Sequence, residues 1–312
     1  MTILLLGANG QLGRSLLQDG GLARRGELAA ASRDGMLFDG SRGEPVDLAD
    51  SASVAALLDR VQPDIIVNAA AYTAVDRAEQ EEALATRING DAVGELGAWA
   101  AAHDALVVHY STDYVFDGRS SAPYPVDHPP APLGAYGRSK LLGEQALRAS
   151  GAAHLILRTA WVYAAHGQNF LRTMLRLAGE REELRVVADQ HGSPTSTDLI
   201  VNGTLAALDR WQQADAPRRA QMTGTYHLVS SGSTSWHGFA SAIIDQAHAI
   251  GLLARRPRVV PITTADFPTP ARRPACSVLD STAFRHQFSF VPPDWRDGLD
   301  SVIDQLARGG RV

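Results

Sequence analysis

Ile3-Leu4-Leu5-Leu6-Gly7-Ala8-Asn9-Gly10-Gln11-Leu12-Gly13 is the stretch that decides the fold. Four apolar residues in succession, with no polar alternation, suit a parallel strand covered by helices on both faces. The glycines that follow are spaced GxxGxxG, and the helix-like Arg14-Ser15-Leu16-Leu17 comes next. In a strand–turn–helix of this kind, Gly7 permits the tight turn, Gly10 lets backbone approach a pyrophosphate, and Gly13 allows close helix–strand packing. The N–H groups at the helix start then face the phosphates. Gly7, Asn9, Gly10, Gln11, Leu12 and Gly13 are therefore candidate dinucleotide contacts.

Outward from this turn, the chain alternates strand and helix patterns. A short strand over residues 28–31 leads into Ser32-Arg33. Where dinucleotide folds place an acid for the ribose 2′-hydroxyl or an arginine for a 2′-phosphate, this chain offers Arg33, with Asp34 behind it in the turn. That favours NADPH and leaves NADH open. Asp47-Leu48 precedes a helix over 51–61, with Ser51 as its expected N-cap. A strand over 64–67 ends in Asn68, then Ala69-Ala70-Ala71-Tyr72-Thr73, small residues at the edge where a flat ligand lies across a parallel sheet. A long helix carrying Asn89 is predicted from residue 75 to about 101. A strand over 105–108 opens into His109-Tyr110-Ser111-Thr112-Asp113-Tyr114-Val115-Phe116.

A proline-rich loop then leads to Tyr136-Gly137-Arg138-Ser139-Lys140. Lys140 is the chain's one lysine among 29 basic residues. On a helix, Tyr136 and Lys140 share a face. An ammonium beside a phenol stabilises the phenolate and lowers its pKa, which suits proton transfer to a carbonyl oxygen. Tyr136 is the candidate acid, Lys140 its partner, and the Thr112 hydroxyl a donor to the same oxygen.

Composition sets the outer limits. With 312 residues, 45% hydrophobic and 20% charged, the chain can bury a full core. A net charge of −5 gives no basic surface for nucleic acid or anionic membrane. Cys276 is the single cysteine, so no internal disulfide and no CxxC motif exists. The first residues lack the pattern of a secretory leader, and no apolar run approaches the roughly 20 residues that span a bilayer. A cytoplasmic protein is expected.

The order of turn, strand, Ser/Thr and Tyr-x-x-x-Lys resembles the extended short-chain dehydrogenase/reductase superfamily. Within it, the chain is similar to the dTDP-4-dehydrorhamnose reductase family. Further motifs carry that likeness: Asn68 to Asp76, Arg158-Thr159-Ala160-Trp161-Val162-Tyr163, Asn169-Phe170, Asp189-Gln190-His191-Gly192-Ser193-Pro194-Thr195 and Pro268-Thr269-Pro270-Ala271-Arg272-Arg273-Pro274. The match covers nearly the whole chain. It implies an α/β, Rossmann-type doubly wound parallel sheet with a smaller C-terminal substrate-binding lobe. Residues 1–160 would form the NAD(P)-binding domain, its core strands continuing to about 190. Residues 161–312 would form mainly the sugar-nucleotide lobe, with interleaved segments.

The implied activity is reduction of a 4-keto deoxysugar on dTDP. Tyr110 would line the cofactor site, and Asp113 and Trp161 would contact the sugar. Asn169, Arg272 and Arg273 are candidates for the diphosphate. The resemblance also brings a magnesium ion linked to dimer contacts, although no carboxylate cluster in the sequence supplies its octahedral oxygen cage. The chain would act as a monomer or homodimer. Another 4-keto nucleotide-sugar reductase or epimerase, and a non-catalytic NADP-binding regulatory subunit, remain alternatives.

Overall fold

A computed structural model describes residues 1–309. Seven strands form one sheet: β1 (Thr2–Leu6), β2 (Glu27–Ser32), β3 (Glu44–Pro45), β4 (Ile65–Asn68), β5 (Leu106–Thr112), β6 (Ala153–Thr159) and β7 (Gly224–His227). Their order is β7-β6-β5-β4-β1-β2-β3, and every pairing is parallel. The chain leaves β1 toward β2 on one side and reaches β4 on the other. That reversal opens a crevice at the carboxyl ends of β1 and β4, where open α/β sheets bind ligands.

Alternate residues of each central strand point to opposite cores. Ile3, Leu5, Ile65, Val67, Leu106 and Val108 pack with Leu16, Leu199, Leu208 and Phe284. Leu4, Leu6, Ile66, Val107 and Ile156 pack with Leu57, Leu58, Leu96 and Leu147 on the other side. Both faces of β1 are therefore sealed, as its uninterrupted apolar run requires. A third core joins helices Phe170–Glu180, Trp236–Ala249 and Trp295–Gly309 over a parallel pair, Glu183–Val187 with Arg258–Ile262.

Several local expectations change. Strand β7, residues 224–227, pairs with β6, so the main sheet continues well beyond the expected limit of about residue 190. The helix cap near residue 51 is Asp50, not Ser51: Asp50 is extended, and its carboxylate accepts the Ala52 N–H at 2.9 Å. A carboxylate there also meets the positive end of the helix dipole.

The long helix expected over 75–101 is broken. It runs as Val75–Ala78, Glu82–Thr86, a wide π turn at Arg87–Asp91, and Ala92–Ala102. The wide turn delivers Asn89 into the interior. There its side chain accepts the Tyr72 N–H at 2.8 Å and donates to the Tyr72 carbonyl and the Ser139 hydroxyl, both at 3.0 Å. A helix of regular pitch would satisfy its own backbone but leave the Tyr72 peptide unpaired, a penalty of about 1–3 kcal/mol per buried group.

Candidate active site

The crevice is a cavity of about 820 Å³ at the carboxyl ends of the central strands. The glycine turn forms its floor. Gly7 sits at φ 77°, and a Cβ there would lie 2.6 Å from the Ala70 nitrogen. A Cβ on Gly13 would collide with the Gly7 carbonyl. Helix Gln11–Asp19 starts directly from this turn with no side-chain cap, so its first N–H groups stay open toward the cavity. The cradle thus fits a dinucleotide diphosphate, on its own backbone geometry.

Gly7, Gly10, Gln11 and Leu12 line the cavity. Asn9 does not; its amide donates to the Met36 carbonyl at 2.7 Å and fastens the neighbouring loop. Gly13 acts through packing beneath the turn. Ser32, Arg33, Asp47 and Leu48 line one end of the cavity. Arg33 is exposed, while Asp34 is turned into its own loop, accepting from Ser32 Oγ at 3.2 Å and the Met36 N–H at 3.1 Å. These bonds, the backbone one foremost, hold the Asp34 carboxyl below its usual range. Ala69 to Thr73 form the adjoining wall, clamped from behind by Asn89.

Strand β5 runs to Thr112, four residues past its expected end. This carries Tyr110, Thr112 and Asp113 to the cavity edge, opposite Tyr136 and Lys140 of helix Ala135–Ala149. Gly134 starts that helix, and Ala135 N–H is held by Glu79 at 2.9 Å. Gly137 packs so closely on the Tyr114 carbonyl that a Cβ would collide with it, which draws the helix onto the sheet.

Lys140 is 2% exposed. Its Nζ donates to the Tyr110 carbonyl at 2.6 Å and stands 3.2 Å from His109 Nε2. Burial lowers the Lys140 pKa to about 8, with Glu144 opposing the shift. Tyr136 departs from expectation. Its phenol is pushed up to about 12, chiefly by burial; the Thr112 hydroxyl pulls it down and the Asp113 charge adds to the rise. Lys140 is not among the groups that shift it; its nitrogen bonds the Tyr110 carbonyl of β5. Tyr136 accordingly holds its proton, the state that a general acid needs.

Asp113 is 2% exposed, and its Oδ2 has no partner. Burial raises its carboxyl to about 6, with the nearby Ser277 and Thr112 hydroxyls opposing the rise. An unpaired buried carboxylate oxygen at the cavity edge is an acceptor awaiting a hydroxyl. Trp161 lines the same end at φ 47°, a left-handed conformation rare for a bulky residue, and stacks on Trp236.

The diphosphate candidates separate. Asn169 caps helix Phe170–Glu180: its Oδ1 accepts Arg172 N–H at 3.0 Å, and its Nδ2 donates to Gln11 Oε1, Ala164 O and His166 O. That side chain is spent on structure and does not line the cavity. Arg272 is exposed and away from the lining. Arg273 is likewise absent from the lining; it pairs with Asp76 at 3.0 Å, and its buried Nη1 has no partner.

Sequence reasoning passed over four contributors. Asn68 and His109 form the buried support of Lys140, whereas Phe170 and Trp236 build the aromatic wall. Only the run of aromatics after residue 160 could have signalled that wall. Among the described residues no group of three or more His, Cys, Asp or Glu side chains could hold a metal ion. No helix among them is long and apolar enough to cross a membrane.

The RmlD substrate binding domain family model matches residues 1–308. A protein of Burkholderia thailandensis named dTDP-4-dehydrorhamnose reductase is 48% identical over 308 residues, covering 98% of this chain and 99% of that one. A crystal structure of a dTDP-4-dehydrorhamnose reductase from Clostridium acetobutylicum superposes with a TM-score of 0.86 at 33% identity, covering 98% of this chain and all of that one. The enzyme of the same name from Bacillus anthracis, solved in complex with NADP, gives 0.83 at 32% identity, with 97% and 99% covered. On sequence and fold alike, the chain belongs to the RmlD substrate binding domain family, that of the dTDP-4-dehydrorhamnose reductases.

Proposed function

We propose that this chain reduces dTDP-4-dehydro-β-L-rhamnose to dTDP-L-rhamnose with NADPH. The observation that carries the reading is the convergence of a protonated Tyr136, Lys140, Thr112 and an unpaired Asp113 oxygen on one crevice beside an uncapped glycine turn. The relatives matched over nearly their full length bear that activity in their names.

Bound NADPH supplies a hydride to the sugar carbonyl carbon. As charge grows on the carbonyl oxygen, Tyr136 Oη gives it a proton and the Thr112 hydroxyl stabilises it. Lys140 presents an N–H to the nicotinamide ribose hydroxyls. Asp113 Oδ2 accepts a sugar hydroxyl, and the indole of Trp161 borders the ring. Arg272 and Arg273, neighbours in one loop, are the candidates for the sugar-nucleotide diphosphate, and the buried Nη1 of Arg273 has no other partner. Residues 1–160 with β7 serve the dinucleotide, and the rest of the segment from 161 onward serves mainly the sugar nucleotide. We place the enzyme in the cytoplasm, as a monomer or homodimer.

The test is NADPH oxidation in the presence of dTDP-4-keto-6-deoxy sugars of defined configuration. Turnover with the L-lyxo-configured substrate is expected. Absence of NADPH consumption, with NADPH binding retained, would assign the chain a non-catalytic cofactor-binding role.

A further inference from the structure

The two halves of the crevice meet at one side chain. Gln11, the first residue of helix Gln11–Asp19, reaches with its amide across to the segment 162–169. Its Nε2 donates to the Val162 carbonyl at 3.1 Å, and its Oε1 accepts from Asn169 Nδ2 at 2.7 Å. The orientation is forced at both ends. A carbonyl only accepts, and Asn169 Oδ1 is taken by the Arg172 N–H at 3.0 Å, which leaves Nδ2 for Gln11. The Gln11 backbone carbonyl accepts in turn from His166 Nε2 at 3.0 Å.

Val162 follows Trp161 and Asn169 precedes Phe170, the two aromatic residues of that segment in the cavity wall. Trp161 sits at φ 47°, and a non-glycine residue keeps such a conformation only where its surroundings hold it. The Thr195 N–H on the Trp161 carbonyl and the Gln11 amide on the Val162 carbonyl hold the two peptides that follow it. At the other side, Gln11 and Leu12 line the cavity where the first N–H groups of their helix are uncapped. A helix end whose N–H groups meet only water frays. A diphosphate bonded to them fixes the first turn and, with it, the Gln11 side chain.

We propose that Gln11 and Asn169 are positioning residues that couple the two half-sites: a dinucleotide diphosphate on the glycine turn sets the aromatic wall against which the sugar is held. Ordering made by the first ligand need not be made again by the second, so cofactor binding favours sugar-nucleotide binding. The inference rests on the assignment of the turn to NADPH and of the wall to the sugar. It gives the Asn169 amide, which is absent from the cavity lining, a role beyond that of a helix cap.

Asn169→Ser separates the two roles. Serine and aspartate cap helices as well as asparagine does, so helix Phe170–Glu180 keeps its start while the amide that holds Gln11 is gone. Asn169→Asp, which sets a carboxylate against Gln11 Oε1, serves if the serine variant does not fold. The chain has five tryptophans, so 5-fluorotryptophan gives five ¹⁹F signals, and Trp161→Phe and Trp236→Phe assign the two in the wall. The probe is 2′-phospho-ADP-ribose, the cofactor without its nicotinamide, which occupies the turn and carries no ring to place on the wall. In the wild type the Trp161 and Trp236 signals should move and sharpen as the probe saturates. In Asn169→Ser the probe should bind as before and leave those signals in place. The variant's KM for the sugar nucleotide should rise about fivefold or more, with the NADPH Kd within about twofold of wild type. Wall signals that ignore bound probe in the wild type, or follow it in a folded variant as in the wild type, overturn the coupling alone. A turn that binds no probe removes the cofactor reading, and the coupling with it.

Discussion

The indoles of Trp161 and Trp236 lie parallel, their centroids 3.5 Å apart and their planes inclined by 3°. Phe170 leans on Trp236 at 4.6 Å, which makes the wall three rings deep. Trp161 itself is held in its left-handed conformation by Thr195, whose N–H bonds the Trp161 carbonyl at 3.2 Å. The side chain bordering the sugar end is thus supported from helix Trp236–Ala249. Aromatic pairs contribute about 0.5–1.5 kcal/mol beyond their buried area. Trp236→Ala should raise KM for the sugar nucleotide about threefold to tenfold and leave the NADPH Kd unchanged. Steady-state kinetics with a separate cofactor titration checks this; equal losses for both ligands would show a general collapse of the lobe.

Tyr136→Phe removes one oxygen from a ring that packs edge-on to Tyr114 at 5.6 Å. Packing should persist, while kcat falls by a factor on the order of 10² to 10⁴. Near-normal kcat would remove Tyr136 from the role of acid.

Arg33 stands at the cavity end, and the neighbouring Asp34 is bound into its own turn. A solvent-screened guanidinium–phosphate pair should favour NADPH over NADH by about threefold to thirtyfold. Arg33→Ala should lose that preference and bind NADH almost as before. Fluorescence titration with both cofactors decides it; an equal loss for the two would place the 2′-phosphate elsewhere.

Asp113 should cost stability for the sake of its site. Its carboxyl titrates near 6 in the folded protein against an ordinary 3.8, so folding takes up a proton between those values. The folded state is therefore favoured at low pH and loses that advantage as pH rises through about 6. Asp113→Asn should be more stable than wild type at pH 8 by on the order of 1–3 kcal/mol, with the gap closing toward pH 4, while turnover drops. Denaturant melts at the two pH values measure it. A variant less stable than wild type at pH 8 would contradict the burial argument.

The sequence carried the nucleotide-binding half clearly, because its signals are local. An unbroken apolar strand, a glycine turn and a helical Tyr-x-x-x-Lys each show their physics within a few residues. What escaped depends on distant contacts. The break at Arg87–Asp91 exists because Asn89 must reach the Tyr72 peptide, 17 residues away. The return of Gly224–His227 to the main sheet is fixed by pairing with Ala153–Thr159, about 70 residues earlier. Asn169 looked like a phosphate ligand because its type fits, but its position one residue before a helix makes it a cap. The phenol of Tyr136 was expected to be acidified by its lysine neighbour, and burial proved the larger effect.

The reduction itself can be followed atom by atom. With NADPH carrying deuterium at the transferable position of the nicotinamide C4, the account predicts a dTDP-sugar with one deuterium at sugar C4. Consumption of cofactor should match product formed, one for one. A sugar whose configuration changes while no deuterium is retained and no NADPH is consumed would contradict the account, and would assign this crevice to an epimerase.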